Sequence, residues 1–191
     1  MARHCVGVLA LQGAFREHCI ALEACGAQAL PVRKPQDFMQ VHALIIPGGE
    51  STTMGKLLHE WDLFEPIRQQ GHAGMPIYGS CAGLILLCNT IDGYPEQKCF
   101  GLLNASVQRN AFGRQKDSFE TPLHIPVLGA RPVHAVFIRA PIITRTGPEV
   151  DILARINNNI VAVQHNNILA TSFHPELTKD RRIHEYFLKM L

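Results

Sequence analysis

The chain lacks a strong charge of either sign. Its 191 residues carry a formal net charge of only +2, and no run of Lys or Arg forms a basic patch. We therefore expect neither nucleic acid nor an anionic membrane surface as a partner. No apolar stretch reaches the roughly 18 residues of a membrane-spanning helix. The short apolar segment near the N-terminus has no small-residue cleavage site after it. These absences predict a soluble, cytoplasmic protein.

The cysteines lack the spacing of a zinc or redox site. There are six cysteines, and no two of them form a C-x-x-C pair, which disfavours zinc binding and thioredoxin-like chemistry. A chain of this length does not need disulfides, and a cytoplasmic thiol stays reduced. We interpret five of the cysteines as small buried hydrophobic residues and expect no metal site. Cys81 is the exception because of its neighbours.

Apolar runs in the first half of the chain alternate with helical patterns. Strands are predicted at 5–11, 27–33, 42–47 and 76–79, and helices at 14–25, within 51–70, and at 82–89. Continuous apolar strands separated by helices are typical of a parallel sheet that is covered on both faces.

The second half of the chain is richer in strands. They are predicted at 105–110, 134–140, 152–157, 159–164 and 168–173. The last three are joined by Asn-rich turns, which predicts an antiparallel meander. Residues 88–100 are interpreted as a loop, and a final helix is predicted over 179–191. The pattern indicates one α/β domain over residues 1–191 with a mixed sheet.

A cysteine between two glycines follows the strand at 76–79. Gly79-Ser80-Cys81-Ala82-Gly83 fits the nucleophile-elbow pattern G-x-S-x-G with Cys in the Ser position. At such a sharp strand-to-helix turn, side chains two residues either side of the nucleophile would collide. The helix N-terminus activates the thiol, and the N–H of Ala82 would face a developing oxyanion. These five residues alone are equally compatible with a tight turn around a buried thiol.

A histidine and a glutamate follow the last predicted strand. Among ten histidines, His174 is distinguished by its place in SFHPE, directly after ILATSF. Glu176 is close enough in sequence to accept a hydrogen bond from the imidazole if the turn folds that way. Alone the motif is weak and also fits an exposed strand end. With an elbow cysteine it predicts a Cys-His-Glu triad.

A glycine pair follows the strand at 42–47. Pro47-Gly48-Gly49-Glu50-Ser51-Thr52 allows the backbone to approach a ligand closely. The loop does not match G-x-x-x-x-G-K-[ST], and the chain has no G-x-G-x-x-G, so we reject a nucleotide site. A second oxyanion N–H from around Gly49 is the functional interpretation, and a plain left-handed turn is the structural alternative.

Together these motifs resemble the class I, triad-type glutamine amidotransferases. The similarity narrows to the family of glutaminase subunits of pyridoxal 5′-phosphate synthases and spans nearly the whole chain. It is carried by LALQGAFREH (9–18), IIPGGESTTMGKLL (45–58), GSCAGLILL (79–87), LLNASVQRNAFGRQKDSFE (102–120), FIRAP (137–141) and SFHPELTKD (172–180). The resemblance implies a three-layer, flavodoxin-like α/β fold with a mixed central sheet.

The resemblance also implies roles for particular residues. Cys81 would be the nucleophile, His174 the base and Glu176 its orienter. Residues that match glutamine-contacting positions are Gly49, Glu50, Ser51, Arg109, Ile138 and Arg139. The guanidinium of Arg109 suits the substrate α-carboxylate because it can bind a carboxylate bidentately. Gln12 matches a residue near the oxyanion hole that the family associates with activation by its synthase subunit.

The activity implied by the resemblance is hydrolysis of L-glutamine without a metal or organic cofactor. The ammonia would pass to a (β/α)₈-barrel pyridoxal 5′-phosphate synthase subunit in a large hetero-oligomer. Two alternatives stay open at this point. One is a glutaminase or thiol hydrolase that serves another pathway, and the other is a non-catalytic regulatory subunit on the same fold.

Overall fold

The computed structural model describes residues 4–112 and 118–191. Residues 113–117, which belong to the predicted motif at 102–120, lie outside the described residues. The strands are β1 Cys5–Leu9, β2 Gln28–Val32, β3 Ala43–Ile46, β4 Ile77–Ser80, β5 Cys88–Ile91, β6 Leu103–Gln108, β7 Ser118–Leu123, β8 Val133–Ile138, β9 Ile142–Thr146, β10 Asp151–Ile156, β11 Asn159–His165 and β12 Ile168–Thr171. The α-helices are α1 Phe15–Ala24, α2 Pro35–Phe38, α3 Ser51–Glu60, α4 Phe64–His72, α5 Ala82–Leu87 and α6 Arg182–Leu188, and 3₁₀ turns cover Pro126–Leu128 and Pro175–Leu177.

A mixed sheet forms the centre of the molecule. Its strand order is β2-β1-β3-β4-β12-β11-β9-β6-β5, and β10 pairs with β11. The first five strands in this order are parallel, as their apolar character predicts. The predicted meander is confirmed, since β10, β11 and β12 are antiparallel neighbours. Strands β3, β4 and β12 therefore end side by side at one edge of the sheet.

Side chains of the sheet alternate between two cores, which gives three layers. Leu44 and Ile46 of β3 pack into one core with Met54 of α3 and Leu84 of α5. Ile45, pointing to the other face, belongs to a second core. That core includes residues of α1, α6 and the separate β7–β8 ribbon, such as Leu22, Phe187 and Phe137. Alternation along a strand and burial of both faces produce the three-layer α/β class that the sequence predicts.

Several predicted boundaries are wrong. The last helix runs over Arg182–Leu188 rather than 179–191, because Asp180 forms a turn before it in which its carboxylate accepts the N–H of Arg182 at 3.1 Å. The helix from Ala82 ends at Leu87, since Cys88 is extended and begins β5 in a segment predicted to be a loop. In the described part of the chain, no helix combines the length and the apolar character needed to cross a membrane.

Candidate active site

The turn after β4 holds Cys81 in a strained conformation. Its φ of 48° and ψ of −98° lie outside the favoured regions for a residue with a side chain. A β-carbon on Gly83 would overlap the carbonyl of Ile46, and one on Gly79 would collide with the backbone of Gly83. Both glycines are therefore required by the close approach of α5 to β3 and β4. The turn places the largely buried thiol at the start of α5.

The turn after β12 brings His174 and Glu176 together. His174 Nδ1 lies 2.7 Å from Glu176 Oε1, and both side chains are buried. The main-chain N–H of His174 donates to the carbonyl of Val136 at 2.8 Å, which anchors the turn to β8. Pro175 opens the 3₁₀ turn that carries Glu176 back toward the imidazole. The hydrogen bond that the sequence predicts for this pair is present in the structure.

The charges of this pair are set by burial and by each other. Burial disfavours a charged imidazole, but hydrogen bonds to Cys81 and Glu176 and the negative charge of Glu176 raise the pKa of His174 to about 10. Burial likewise opposes ionisation of Glu176, yet His18 and the hydrogen bond from His174 hold the pKa of this carboxyl below its usual range. A cationic imidazole beside the sulfur is the partner that a cysteine needs to react as a thiolate.

The loop after β3 is held by the residues that precede α1. Gln12 Oε1 accepts the main-chain N–H of Glu50 at 2.8 Å, and the carbonyl of Gly48 accepts the N–H of Ala14 at 3.2 Å. A side chain on Gly49 would collide with the amide of Gln12. The glycine loop is thus fixed against the segment that contains Gln12.

Arg109 lies in a cluster of polar groups at the rim of the site. Its Nη2 donates to Glu50 Oε1 at 3.0 Å, and its Nη1 donates to Thr52 Oγ1 at 3.1 Å and to Gln97 Oε1 at 3.0 Å. The guanidinium also lies over the ring of Tyr94, with Cζ 4.7 Å from the ring centroid. Glu50 caps α3 by accepting N–H groups from its first turn. The hydrogen bonds that cap the helix hold the pKa of Glu50 down at about 2, against the opposing effect of burial.

One pocket of about 510 Å³ collects most of the predicted site residues. Those that line it are Gln12, Gly49, Glu50, Ser51, Cys81, Arg109, Ile138, Arg139 and His174. Glu176 lies behind His174, and Ala82 follows Cys81 as the first residue of α5. Ile138 approaches the thiol directly, since its carbonyl is 4.0 Å from Cys81 Sγ. The pocket has the size of a small-molecule site.

Sequence reasoning missed a buried polar group behind the triad. His18 of α1 and His184 of α6 are completely buried, and so is Ser80, which immediately precedes Cys81. His18 occupies the core-facing side of α1 together with Ala21 and Leu22. A histidine at a core position of an amphipathic helix was the available signal, because a buried polar side chain requires a partner.

Comparisons with known proteins agree with the geometry. Residues 8–191 match the model of the SNO glutamine amidotransferase family. The pyridoxal 5′-phosphate synthase subunit PdxT of Moorella thermoacetica is 56% identical over 97% of this chain and 98% of that protein. Its counterpart in Pelotomaculum thermopropionicum is 56% identical over 96% of this chain and 93% of that protein. A crystal structure of a glutamine amidotransferase has a TM-score of 0.92 and 50% identity over 97% of both chains.

Proposed function

The chain belongs to the SNO glutamine amidotransferase family, and we propose that it hydrolyses L-glutamine to L-glutamate and ammonia for pyridoxal 5′-phosphate synthesis. The observation that carries the proposal is the contact of His174 with Glu176 at 2.7 Å in the pocket that also contains the elbow thiol of Cys81. A nucleophile, a base and an orienter are the minimum set for acyl transfer through a covalent intermediate.

In the first half of the reaction, the Cys81 thiolate attacks the side-chain carboxamide carbon of glutamine. The resulting oxyanion would be bound by main-chain N–H groups near Gly49, which lines the same pocket as the thiol, and at Ala82, which follows Cys81. His174 gives its proton to the amide nitrogen, the C–N bond breaks, and ammonia leaves. The product is a γ-glutamyl thioester on Cys81, and Glu176 keeps the imidazole oriented throughout.

In the second half, water replaces ammonia beside His174. The now neutral imidazole removes a proton from water, and the hydroxide attacks the thioester carbonyl. The C–S bond breaks, glutamate leaves, and the imidazolium and thiolate are restored. All these steps use side-chain and main-chain groups of this chain and water, so the proposal requires neither a metal nor an organic cofactor.

Binding of the amino-acid part of glutamine is assigned to the rim of the pocket. Arg109 would receive the α-carboxylate, since within the described part of the chain its Nε hydrogen and one Nη2 hydrogen are not used by the contacts with Glu50, Thr52 and Gln97. Gly49, Glu50, Ser51, Ile138 and Arg139 line the same pocket and complete the proposed set.

The proposed partner is a (β/α)₈-barrel synthase subunit in a large cytoplasmic hetero-oligomer, to which this glutaminase domain of residues 1–191 delivers ammonia. Gln12 is the proposed point of activation, because its side chain holds the N–H of Glu50 beside the oxyanion donor at Gly49. Docking would then adjust the loop through a contact that already exists. The chain alone should therefore have low activity.

The test is L-glutamine turnover, measured as glutamate formed, with and without the purified barrel synthase subunit. We expect turnover to rise at least about tenfold on addition of the partner, because a misplaced oxyanion donor costs part of the roughly 100- to 1000-fold in rate that its complete loss would cost. Cys81→Ala should abolish glutamate formation in both conditions. Turnover that survives Cys81→Ala would overturn the triad assignment.

The same measurement separates the remaining alternatives. Equal turnover with and without the barrel subunit would contradict activation by that partner and favour a glutaminase serving another pathway. A complete lack of turnover in the presence of the partner would favour a regulatory subunit. Appearance of pyridoxal 5′-phosphate from glutamine, a pentose phosphate and a triose phosphate would support the full proposal.

A further inference from the structure

The second carboxylate oxygen of Glu176, Oε2, is buried and does not contact the other members of the triad. Oε1 bonds His174, whereas Oε2 makes no hydrogen bond within the part of the chain that the structure describes. A buried carboxylate oxygen without a donor is costly, because burial removes the water that would otherwise stabilise its charge. The polar side-chain atom facing Oε2 is Nε2 of His18, at 3.4 Å.

His18 connects four elements of the fold. From α1 its Nε2 lies 3.0 Å from Ser80 Oγ at the end of β4 and faces Glu176 in the 3₁₀ turn. Its Nδ1 lies 3.0 Å from His184 Nε2 of α6. All these side chains are buried. The ring therefore contacts both the residue beside Cys81 and the carboxylate behind His174.

The surroundings of His18 select one tautomer. If Nδ1 carried the proton, it would donate to His184 Nε2, and the proton of His184 would then sit on Nδ1. That atom is buried and has no acceptor among the described residues. The lone pair of His18 Nε2 would also face the Glu176 carboxylate. With the proton on His18 Nε2 instead, the ring donates toward Ser80 and Glu176 and accepts from His184 Nε2–H, so that the N–H of each of these two rings has a partner.

We propose that neutral His18 is a positioning residue for the triad, whose Nε2–H keeps the Glu176 carboxylate ionised and aimed at His174. The inference rests on the proposed glutaminase function, because Glu176 acts only through His174. In this arrangement each carboxylate oxygen faces one imidazole, and rotation of the carboxylate away from His174 would break both interactions. Ser80 fixes the His18 ring, which links the elbow to the orienter.

Titratable groups from every neighbouring element face His18, and burial favours the neutral ring against the charges of Glu176 and Glu17. Those that face or influence His18 are Glu17 on its own helix, Tyr78 on β4, His174 and Glu176 at the 3₁₀ turn, and His184 on α6. Burial lowers the pKa of His18 despite the opposing charge of Glu176. Burial and His18 together lower the pKa of His184 to about 3.

Two amide substitutions at position 18 test whether the triad needs an N–H donor at the place of His18 Nε2. In His18→Gln the amide nitrogen takes the place of Nε2 and can donate to Glu176, whereas in His18→Asn it takes the place of Nδ1 and reaches only toward His184. Both variants keep a polar, uncharged side chain in the cavity. His134→Asn is the matched control, because His134 forms an exposed pair with Glu120 at 2.6 Å.

The readout is the pH profile of glutamine hydrolysis in the complex with the synthase subunit. For His18→Asn we expect kcat to fall about tenfold, because the buried Glu176 carboxylate loses the polar donor that faces it, with KM nearly unchanged. The acidic side of the pH profile of His18→Asn, where Glu176 takes up a proton, should move to higher pH. His18→Gln should restore kcat to within about threefold of wild type. Equal kcat and an equal acidic side of the pH profile for His18→Asn, His18→Gln and wild type would overturn the inference.

Two measurements separate this inference from the proposed function and from misfolding. The first is the rate of Cys81 alkylation by iodoacetamide as a function of pH, followed by mass spectrometry of the Cys81 peptide, which needs no glutamine turnover. Its pH profile should move to higher pH in His18→Asn and stay close to wild type in His18→Gln. Nitrogen NMR of the labelled wild-type chain should show His18 neutral with the proton on Nε2 near pH 7. A proton on Nδ1 or an imidazolium there would overturn the inference even if a variant does not fold. If the wild-type chain does not hydrolyse glutamine in the complex, that result would instead contradict the proposed function.

Discussion

The imidazole of His174 lies directly against the main chain of Gly48, so closely that a β-carbon on residue 48 would overlap the ring. The two residues follow strands β3 and β12, which lie on either side of β4 in the parallel sheet. The base is therefore held both by its hydrogen bond to Glu176 and by its close packing against the glycine backbone. This contact gives the first glycine of the pair a role separate from any oxyanion donor.

Gly48→Ala should displace the base without unfolding the protein. The added methyl group must push the His174 ring out of line with Cys81, and a misplacement of about 1 Å can cost about 100-fold in rate. We expect kcat for glutamine to fall by that order while the urea midpoint changes little. Gly55→Ala in α3 is the control, because a β-carbon there would make only an ordinary 3.8 Å contact with Leu86. A normal kcat for Gly48→Ala would contradict the packing argument.

Arg109→Lys should weaken glutamine binding more than catalysis. A lysine ammonium cannot reproduce the planar set of contacts to Glu50, Thr52 and Gln97 and still offer two parallel donors to a carboxylate. We expect KM for glutamine to rise about tenfold or more, with kcat within a few-fold of wild type. Arg155→Lys, at an exposed arginine bonded to the Asn158 carbonyl, should leave KM unchanged. A rise in KM for both variants would argue against a specific role of Arg109.

Cys81→Gly should be more stable than Cys81→Ala, although both lack activity. Glycine adopts φ near 48° without strain, and a non-glycine residue in such a conformation costs about 1–3 kcal/mol. Loss of chain entropy offsets part of this gain, so we expect a difference of about 1 kcal/mol in the free energy of unfolding. At Cys88, whose φ of −64° is ordinary for a residue with a side chain, Cys88→Ala should instead be more stable than Cys88→Gly. If Cys81→Ala is the more stable variant, the elbow stores no strain at this residue.

The sequence could predict the three loops of the site because each follows an apolar run that is typical of a buried strand. Hydrophobic runs locate the strands, and glycine or proline marks the turns, so local signals find the loops of Cys81, His174 and Gly49, while the resemblance joins them into one site. The parallel pairing of β12 with β4 was not predicted, because the strand at 168–173 was assigned only to an antiparallel meander and its contact with β4 is made across about 90 residues. The hydrogen bond between His174 and Glu176 could also be predicted from the sequence, because the two residues are only two positions apart.

Tertiary contacts were beyond that reasoning. The pairing of β8 with β7 outside the main sheet depends on packing against the second core, and β7 contains Pro122 among polar residues, which hides it as a strand. The partners of Arg109 come from segments up to 59 residues away. His18 and His184 are 166 residues apart, and no local pattern predicts that they meet.

Glu176→Gln should change how stability depends on pH. The raised pKa of His174 contributes stability that is complete below its ordinary value of 6.5 and is lost as pH rises toward about 10. The lowered pKa of Glu176 contributes stability that is present above its ordinary value of 4.5 and is lost as pH falls through the lower folded value. Wild type should therefore exceed Glu176→Gln by about 1–3 kcal/mol in the free energy of unfolding at mildly acidic pH, and this difference should shrink toward both extremes. Urea unfolding of both proteins across that range measures the difference directly, because ionisations common to the two chains cancel. A difference that stays constant from pH 6.5 to 10 would show that Glu176 does not raise the pKa of His174.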